Sequence, residues 1–181
     1  MPVGAGHITN DIAIGLRTSV EIAEKVKSEH GTALPEEVSK RDNIDLAQFG
    51  EDGLISKLEV AEIIEARLEE IFSIVNKELK NIGRAGMLPA GIVLTGGGAR
   101  LKGMVEVAKK SFNLPASIGE PKDFKTAIYR IHDPVFATAV GLVIWGANIE
   151  KTNSRGFIIP KFSSVVDVTG KMKKWFKSLL P

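Results

Sequence analysis

The chain has 181 residues, of which 44% are hydrophobic and 25% are charged, and its formal net charge at pH 7 is +2. This length and apolar content predict one or two globular domains with a buried core. The sequence contains no cysteine, which excludes disulfides, thiol catalysis and cysteine-ligated metal sites. The nearly balanced charge gives no overall basic surface, and we predict no nucleic-acid partner.

The first residues lack a basic flank followed by an apolar stretch, so no secretory signal sequence is predicted. Residues 2–6 are typical of the end of a strand that runs into a glycine turn. An opening of this kind predicts that the chain is a piece of a longer protein.

Two short helices are predicted next. Ile8, Ile12 and Leu16 recur every four residues, which is the spacing of one helical face. A second helix is predicted over residues 19–29 and ends at Gly31. The following residues are polar and broken by glycine and proline, so they predict a small lobe with at most short strands.

A long helix has the strongest signal in the chain. Ser56 and Glu59 have the spacing of a capping box, and apolar residues then recur every three or four positions until the helix ends near Gly83. The short apolar segment 91–94 predicts a buried parallel strand, and residues 104–112 predict another amphipathic helix. Helix, strand, glycine loop and helix in this order predict an α/β fold.

A last apolar helix is predicted after Asp133 and Pro134, which are typical of an N-cap acid followed by proline at the first helical position. Residues 135–149 are apolar nearly all round the helix. This run is shorter than the roughly 20 residues that cross a bilayer. We therefore predict a helix buried against the sheet.

Three consecutive glycines follow the predicted strand, in the segment LTGGGARLKG at residues 94–103. The strict Walker A and dinucleotide-binding patterns are absent, because the lysine–serine pair of the first and the last glycine of the second are missing. Glycines between a strand and a helix N-terminus still let a ligand approach the backbone closely. The residues alone leave both a ligand site and a structural turn open.

The C-terminal segment GKMKKWFKSLLP is sharply amphipathic. One helical face carries Met172, Trp175, Phe176, Leu179 and Leu180. The lysines lie mostly on the other face: Lys171, Lys173, Lys174 and Lys177. Aromatic residues beside lysines, with no acid among them, are typical of a helix at an anionic membrane surface. A helix docked on the protein's own core, or on a partner, is the alternative.

Five phrases of the sequence occur in the order found in one known family: HITNDIA, AEKVKSEHGTAL, GIVLTGGGARLKG, HDPVFATAVGL and GKMKKWFKSLL. They resemble the FtsA family of bacterial cell-division proteins, within the actin-like ATPase superfamily. The resemblance implies the C-terminal part of an actin-like (ribonuclease H-like) α/β fold. It implies subdomain 2A at residues 1–31 and 84–150, a 2B lobe at 32–83, a linker at 151–169 and an amphipathic membrane-targeting helix at 170–181.

The resemblance also implies an ATP site, with magnesium in the complete protein. The residues that it assigns to this site are Gly4, Ala5, Gly6, Glu24, Lys27, Thr95, Gly96, Gly97, Gly98 and Leu101. The glycine turn resembles the motif that packs against adenosine, whereas the family's phosphate loops have no counterpart in this sequence. We therefore expect half a cleft at best, and no hydrolysis by this chain alone. Without the resemblance, Glu24 and Lys27 would be interpreted as a solvated surface pair.

In function, the resemblance implies an ATP-binding adaptor that links FtsZ filaments to the cytoplasmic face of the membrane at the division septum. Implied partners are the acidic C-terminal tail of FtsZ, further copies of the protein, other divisome proteins and an anionic membrane surface. Arg67 is assigned as an FtsZ contact or a subunit-interface residue; by helix spacing alone it is an exposed salt-bridge partner.

Two other classes of function stay open at this point. One is an ATP-dependent phosphotransferase of the sugar-kinase type, from the same superfamily. The other is a pilus-assembly or MreB-type adaptor. The lysine-rich terminal helix argues against the kinase, and the order of segments argues against the other adaptors. The three histidines have no ligand-like spacing, so we predict no metal site.

Overall fold

The computed structural model describes residues 3–122 and 129–153. The chain divides into two compact units, Met1–Leu142 and Val143–Pro181. The predicted membrane-targeting helix and residues 154–169 of the predicted linker lie outside the described residues. The subdomain boundaries proposed from the sequence stay a prediction.

Helices dominate the described residues. The helices are α1 (Ala5–Leu16), α2 (Val20–His30), α3 (Lys57–Asn81), α4 (Met104–Phe112) and α5 (Ala137–Asn153). The strands are β1 (Asn43–Asp45), β2 (Leu54–Ser56), β3 (Ile92–Leu94) and β4 (Ala116–Ile118). Within the described residues, each helix predicted from the sequence is present, with its ends displaced by a few residues.

Local capping chemistry accounts for several helix ends. The Ser56 hydroxyl accepts a hydrogen bond from the Glu59 amide at 3.3 Å, so the predicted cap starts α3. Ser19 caps α2 in the same way, through the amide of Ile22. Asp133 caps a short 3₁₀ turn, Pro134–Phe136, that leads into α5. These ends are encoded within a few residues of sequence.

The strands form two small sheets. β1 and β2 pair antiparallel, with Asn43 opposite Ser56, and belong to the predicted small lobe. β3 and β4 pair parallel, with Ile92 opposite Ala116, and α4 connects them. This β–α–β unit is the α/β element that the sequence predicts around its glycine segment.

One hydrophobic core joins α1, α2, α3 and α4 in the first unit. Its fully buried large side chains are Ile8, Ile12, Val26, Val60 and Ile64. Phe72 of α3 and Phe112 of α4 add an aromatic contact, with ring centroids 5.2 Å apart. The helical periodicity of the sequence therefore identifies the core-facing sides of α1 and α3 correctly.

The sequence predicts that β3 and the last helix are buried. Only one face of β3, with Ile92 and Leu94, packs against the core, and the prediction for the last helix is wrong. Val93 in β3 has 64% of its surface exposed. In the first unit Leu142 of α5 is exposed, and in the second unit so is Trp145, at 65%. An apolar run indicates that a segment can be buried but not which element packs against it. Parallel strands are buried when helices cover both faces of their sheet, and this two-stranded sheet leaves Val93 exposed. Within residues 3–122 and 129–153, no helix has the length and apolar content to span a membrane.

The core assignment can be tested with a matched pair of isoleucines. Ile64→Ala removes a fully buried side chain and is expected to lower the free energy of unfolding by about 2–5 kcal/mol. Ile14→Ala removes a side chain that is 76% exposed and is expected to cost less than about 0.5 kcal/mol. Urea denaturation measures both, and equal losses would contradict the assignment of the core.

Candidate functional site

A cavity of about 970 Å³ lies between the N-terminus of α1, the C-terminal half of α2 and the glycine turn. The small lobe closes it on another side, through Glu37, Val38 and Asp42. Cavities of this size are typical of small-molecule sites. We refer to this cavity as the cleft.

The cleft brings together most of the residues that the sequence assigns to the nucleotide site. Those that line it are Ala5, Gly6, Glu24, Lys27, Gly97, Gly98 and Leu101. Gly4, Thr95 and Gly96 lie beside it without lining it. Gly4 is the N-cap of α1, the Thr95 hydroxyl donates to the Gly119 carbonyl at 3.0 Å, and the Gly96 amide donates to Pro134.

The glycine turn is shaped by backbone conformation and by a close contact. Gly96 has φ +87°, in the region that favours glycine, and Gly97–Arg100 then form one 3₁₀ turn. A Cβ atom on Gly98 would lie only 2.7 Å from the Cβ of Ala5. A Cβ on Gly97 would meet nothing nearer than Val135, at 4.0 Å. The turn thus needs glycine at two positions for two different reasons.

Glu24 and Lys27 form an ion pair of 2.6 Å along α2, but it is not the freely solvated pair that helix spacing suggests. The hydroxyl of Thr9 in α1 donates to Glu24 and accepts from Lys27. Burial raises the pKa of Glu24, but hydrogen bonds from Lys27 and Thr9 and the Lys27 charge outweigh it, so the net pKa is lowered. The pair therefore connects two helices at the wall of the cleft.

Sequence reasoning misses several cleft residues. Arg100 lines the cleft and pairs with Asp133 at 3.2 Å. Lys102 also lines it and pairs at 2.8 Å with Glu37 of the small lobe. Arg100 and Lys102 both belong to the segment LTGGGARLKG, so their position in this motif could have identified them as site residues. Their acidic partners are distant in sequence, and only the tertiary structure brings each pair together.

Arg67 lies on α3, and its guanidinium is engaged from both sides. Its Nε and Nη2 atoms donate to the carboxylate of Asp11 in α1, and Nη1 donates to Glu70 at 2.6 Å. The hydrogen bond to Asp11 raises the pKa of Arg67. In this structure Arg67 ties α1 to α3, and its assignment as a partner contact stays a prediction.

The lysines and apolar residues assigned to membrane binding fall between 171 and 180, outside the described residues. In the part of the chain that the structure describes, no group of three histidine, aspartate or glutamate side chains is placed to hold a metal ion.

The fold is that of an actin-like protein, as comparison with solved structures shows. Spiroplasma citri MreB5 bound to AMPPNP matches with a TM-score of 0.61 and 21% identity, over 87% of this chain and 47% of that one. The same protein bound to ADP matches with a TM-score of 0.62, 21% identity, and coverage of 86% and 48%. The chain is therefore α/β of the actin-like class, as the sequence predicts.

A family model described as cell division protein FtsA matches residues 1–141, and the chain belongs to the FtsA family. The FtsA proteins of Pseudomonas aeruginosa and Bacillus subtilis are 34% and 36% identical to it, over 81% and 89% of this chain. The Escherichia coli protein is 32% identical over 81% of the chain. The match covers 36% of the first two relatives and 37% of the third.

The contact between Ala5 and Gly98 gives a prediction for the glycine turn. Gly98→Ala places a methyl group against Ala5 and is expected to lower the free energy of unfolding by about 1–3 kcal/mol. Gly97→Ala, one residue away with open space around it, is the matched control and should cost less. Adding Ala5→Gly to Gly98→Ala removes the clash and should restore most of the loss in thermal denaturation. A double variant no more stable than Gly98→Ala would contradict this contact.

Proposed function

We propose that the chain is part of an actin-like adaptor of cell division that binds ATP and links FtsZ filaments to the cytoplasmic membrane. Membership of the FtsA family supports the role in cell division. The observation that carries the nucleotide part is the cleft, where residues from α1, α2 and the glycine turn line one cavity. The same family membership disfavours a sugar-kinase-type phosphotransferase.

Adenosine is the part of the nucleotide that suits this cleft. Gly97 and Gly98 present backbone without side chains, and Val135 and Leu101 supply apolar contact beside them. Such a surface admits a flat base and a ribose, with Glu24 as a hydrogen-bond acceptor. The sequence holds no phosphate loop, so the contacts to phosphates and magnesium must come from elsewhere in a complete protein. The MreB5 structures with AMPPNP and ADP support a nucleotide in this fold.

The proposed partner surface is the small lobe with α3. We infer that the acidic tail of FtsZ docks near Arg67, the position that the family resemblance assigns. Because Arg67 already binds Asp11 and Glu70, an incoming carboxylate must compete with these two. Self-association and contacts to other divisome proteins belong to the same proposal. So do the subdomain limits: 2A at residues 1–31 and 84–150, and 2B at 32–83.

The C-terminal segment 170–181 is proposed to lie as an amphipathic helix at the cytoplasmic face of the membrane, at the septum. Each lysine near an anionic surface contributes on the order of 1 kcal/mol. One short helix then gives reversible binding, and self-association strengthens it through avidity.

Vesicle sedimentation tests the membrane proposal. The intact chain is expected to sediment with vesicles rich in phosphatidylglycerol, less with phosphatidylcholine vesicles, and less at high salt. A chain that ends at Thr169, and the variant Trp175→Glu, should stay in the supernatant. Ile14→Glu puts the same charge at another exposed apolar position and should bind like the unchanged chain. Equal sedimentation of the intact and shortened chains would refute the tether.

Ligand titration tests the nucleotide proposal. Adenosine at millimolar concentrations is expected to shift the amide resonances of Gly97 and Gly98, but not that of Gly86, which lies outside the cleft. ATP should bind no more than about tenfold more tightly than adenosine, because this chain has no phosphate loop to bind the additional groups of ATP. Micromolar ATP affinity would contradict the expectation that this chain holds only half of a nucleotide cleft. No response to either ligand would contradict the adenosine site.

A further inference from the structure

Residues 34–42 form a segment along one side of the cleft, which we call the strap. Glu37 and Val38 of the strap line the cleft. The strap begins after Ala33, which is fully buried, and ends at β1, whose Ile44 is buried in the core. Packing therefore anchors both ends of the strap, whereas its middle depends on other contacts.

The middle of the strap has local hydrogen bonds and an exposed surface. The Glu37 amide donates to the Leu34 carbonyl at 3.1 Å, and the Val38 amide donates to the Pro35 carbonyl at 3.0 Å. Both bonds close a short 3₁₀ turn within the strap. Residues 39–42 are all exposed. Exposed segments of this kind open at a low cost in free energy.

The first end of the strap crosses the segment LTGGGARLKG. The Ala33 amide donates to the Lys102 carbonyl at 2.8 Å. Leu34 packs against Gly103, where a Cβ atom would lie only 2.6 Å from the Leu34 Cγ atom. Gly103 also has φ +82°, a conformation that favours glycine. This crossing fixes the start of the strap, so any opening involves the residues beyond Leu34.

An ion pair joins the middle of the strap to the same segment. The Nζ atom of Lys102 lies 2.8 Å from a carboxylate oxygen of Glu37, and both residues line the cleft. The two side chains are 66% and 49% exposed, so water and salt screen their attraction. A pair this exposed changes the ratio of two populations by only about two- to fivefold. It can therefore favour one position of the strap without locking it.

We propose that the strap is a gate of the cleft and that the ion pair between Glu37 and Lys102 is its latch. When the pair breaks, the strap pivots about its anchored ends at Ala33 and β1, and a ligand enters or leaves on this side. The position of the strap can be measured without any ligand. The passage of a ligand rests on the proposed nucleotide site, and a separate experiment tests it.

An arginine-specific protease tests the latch on the intact, ligand-free chain, because Arg41 is an exposed cleavage site in the strap. Glu37→Gln is expected to speed cleavage after Arg41 by about two- to fivefold, since cleavage tracks the population of the open form. Glu36→Gln, the exposed neighbour in the same turn, is the matched control and should change the rate little. Cleavage after Arg67 in α3 reports unfolding of the core and should stay unchanged. Mass spectrometry assigns each cleavage.

A charge swap makes the test specific to the pair. Lys102→Glu should speed cleavage of the strap, and combining it with Glu37→Lys should return the rate to that of the unchanged chain. Lys109→Met, at an exposed lysine on α4, is the control for a lost positive charge. Equal rates in Glu37→Gln and Glu36→Gln would overturn the latch. So would a swapped variant that is cleaved as fast as Lys102→Glu alone.

Adenosine exchange, measured from NMR line shapes, tests the gate. Glu37→Gln is expected to raise the association and dissociation rates by the same factor, about two- to fivefold, and to leave the dissociation constant unchanged. A changed dissociation constant with an unchanged association rate would mean that Glu37 contacts the ligand, and unchanged rates would mean that the ligand enters elsewhere. Either result would overturn the gate. Failure of adenosine to bind the unchanged chain would refute the proposed function, and cleavage after Arg41 would still decide the latch.

Discussion

The packing of α1 between α2 and α3 is the interaction on which the rest of the first unit depends. Its inner face puts Ile8 and Ile12 into the core. Its polar side chains form hydrogen bonds with both neighbouring helices. Asp11 is bound by Arg67 of α3, and Thr9 is bound by Glu24 and Lys27 of α2. Because the N-terminus of α1 lines the cleft, the forces that place this helix also set one wall of the site.

The segment LTGGGARLKG leads from β3 to α4 and contacts both α1 and the small lobe. Gly98 meets Ala5 of α1, and the Lys102 carbonyl accepts a hydrogen bond from the Ala33 amide of the small lobe at 2.8 Å. Gly103 has φ +82° and lies against the side chain of Leu34. Glycine recurs here because neighbouring side chains approach the backbone closely at Gly98 and Gly103, and because Gly96 and Gly103 have positive φ. The cleft therefore lies where α1, α2, the small lobe and the glycine turn meet.

Local signals predicted most of the secondary structure. The Ser56 cap, the Asp133–Pro134 start and the apolar spacing of α1 and α3 each act within about one helical turn, which is why sequence alone locates them. The same reasoning failed for β4, a three-residue strand without a distinctive pattern, for the exposed face of β3 and for the burial of α5. Strand pairing and burial depend on which distant segment lies opposite, and no local rule contains that information.

The sequence by itself determined the helices, the α/β order around the glycines and, through its motifs, the FtsA family. Only the tertiary structure decided that Lys27 faces Thr9 and Ala5, that Arg67 is bound by Asp11, and that Arg100 and Lys102 find partners at Asp133 and Glu37. A side chain's type fixes what it can bind, but its partner is set by how the helices and turns pack. That packing arises from the burial of the common core, which joins segments distant in sequence across the first unit.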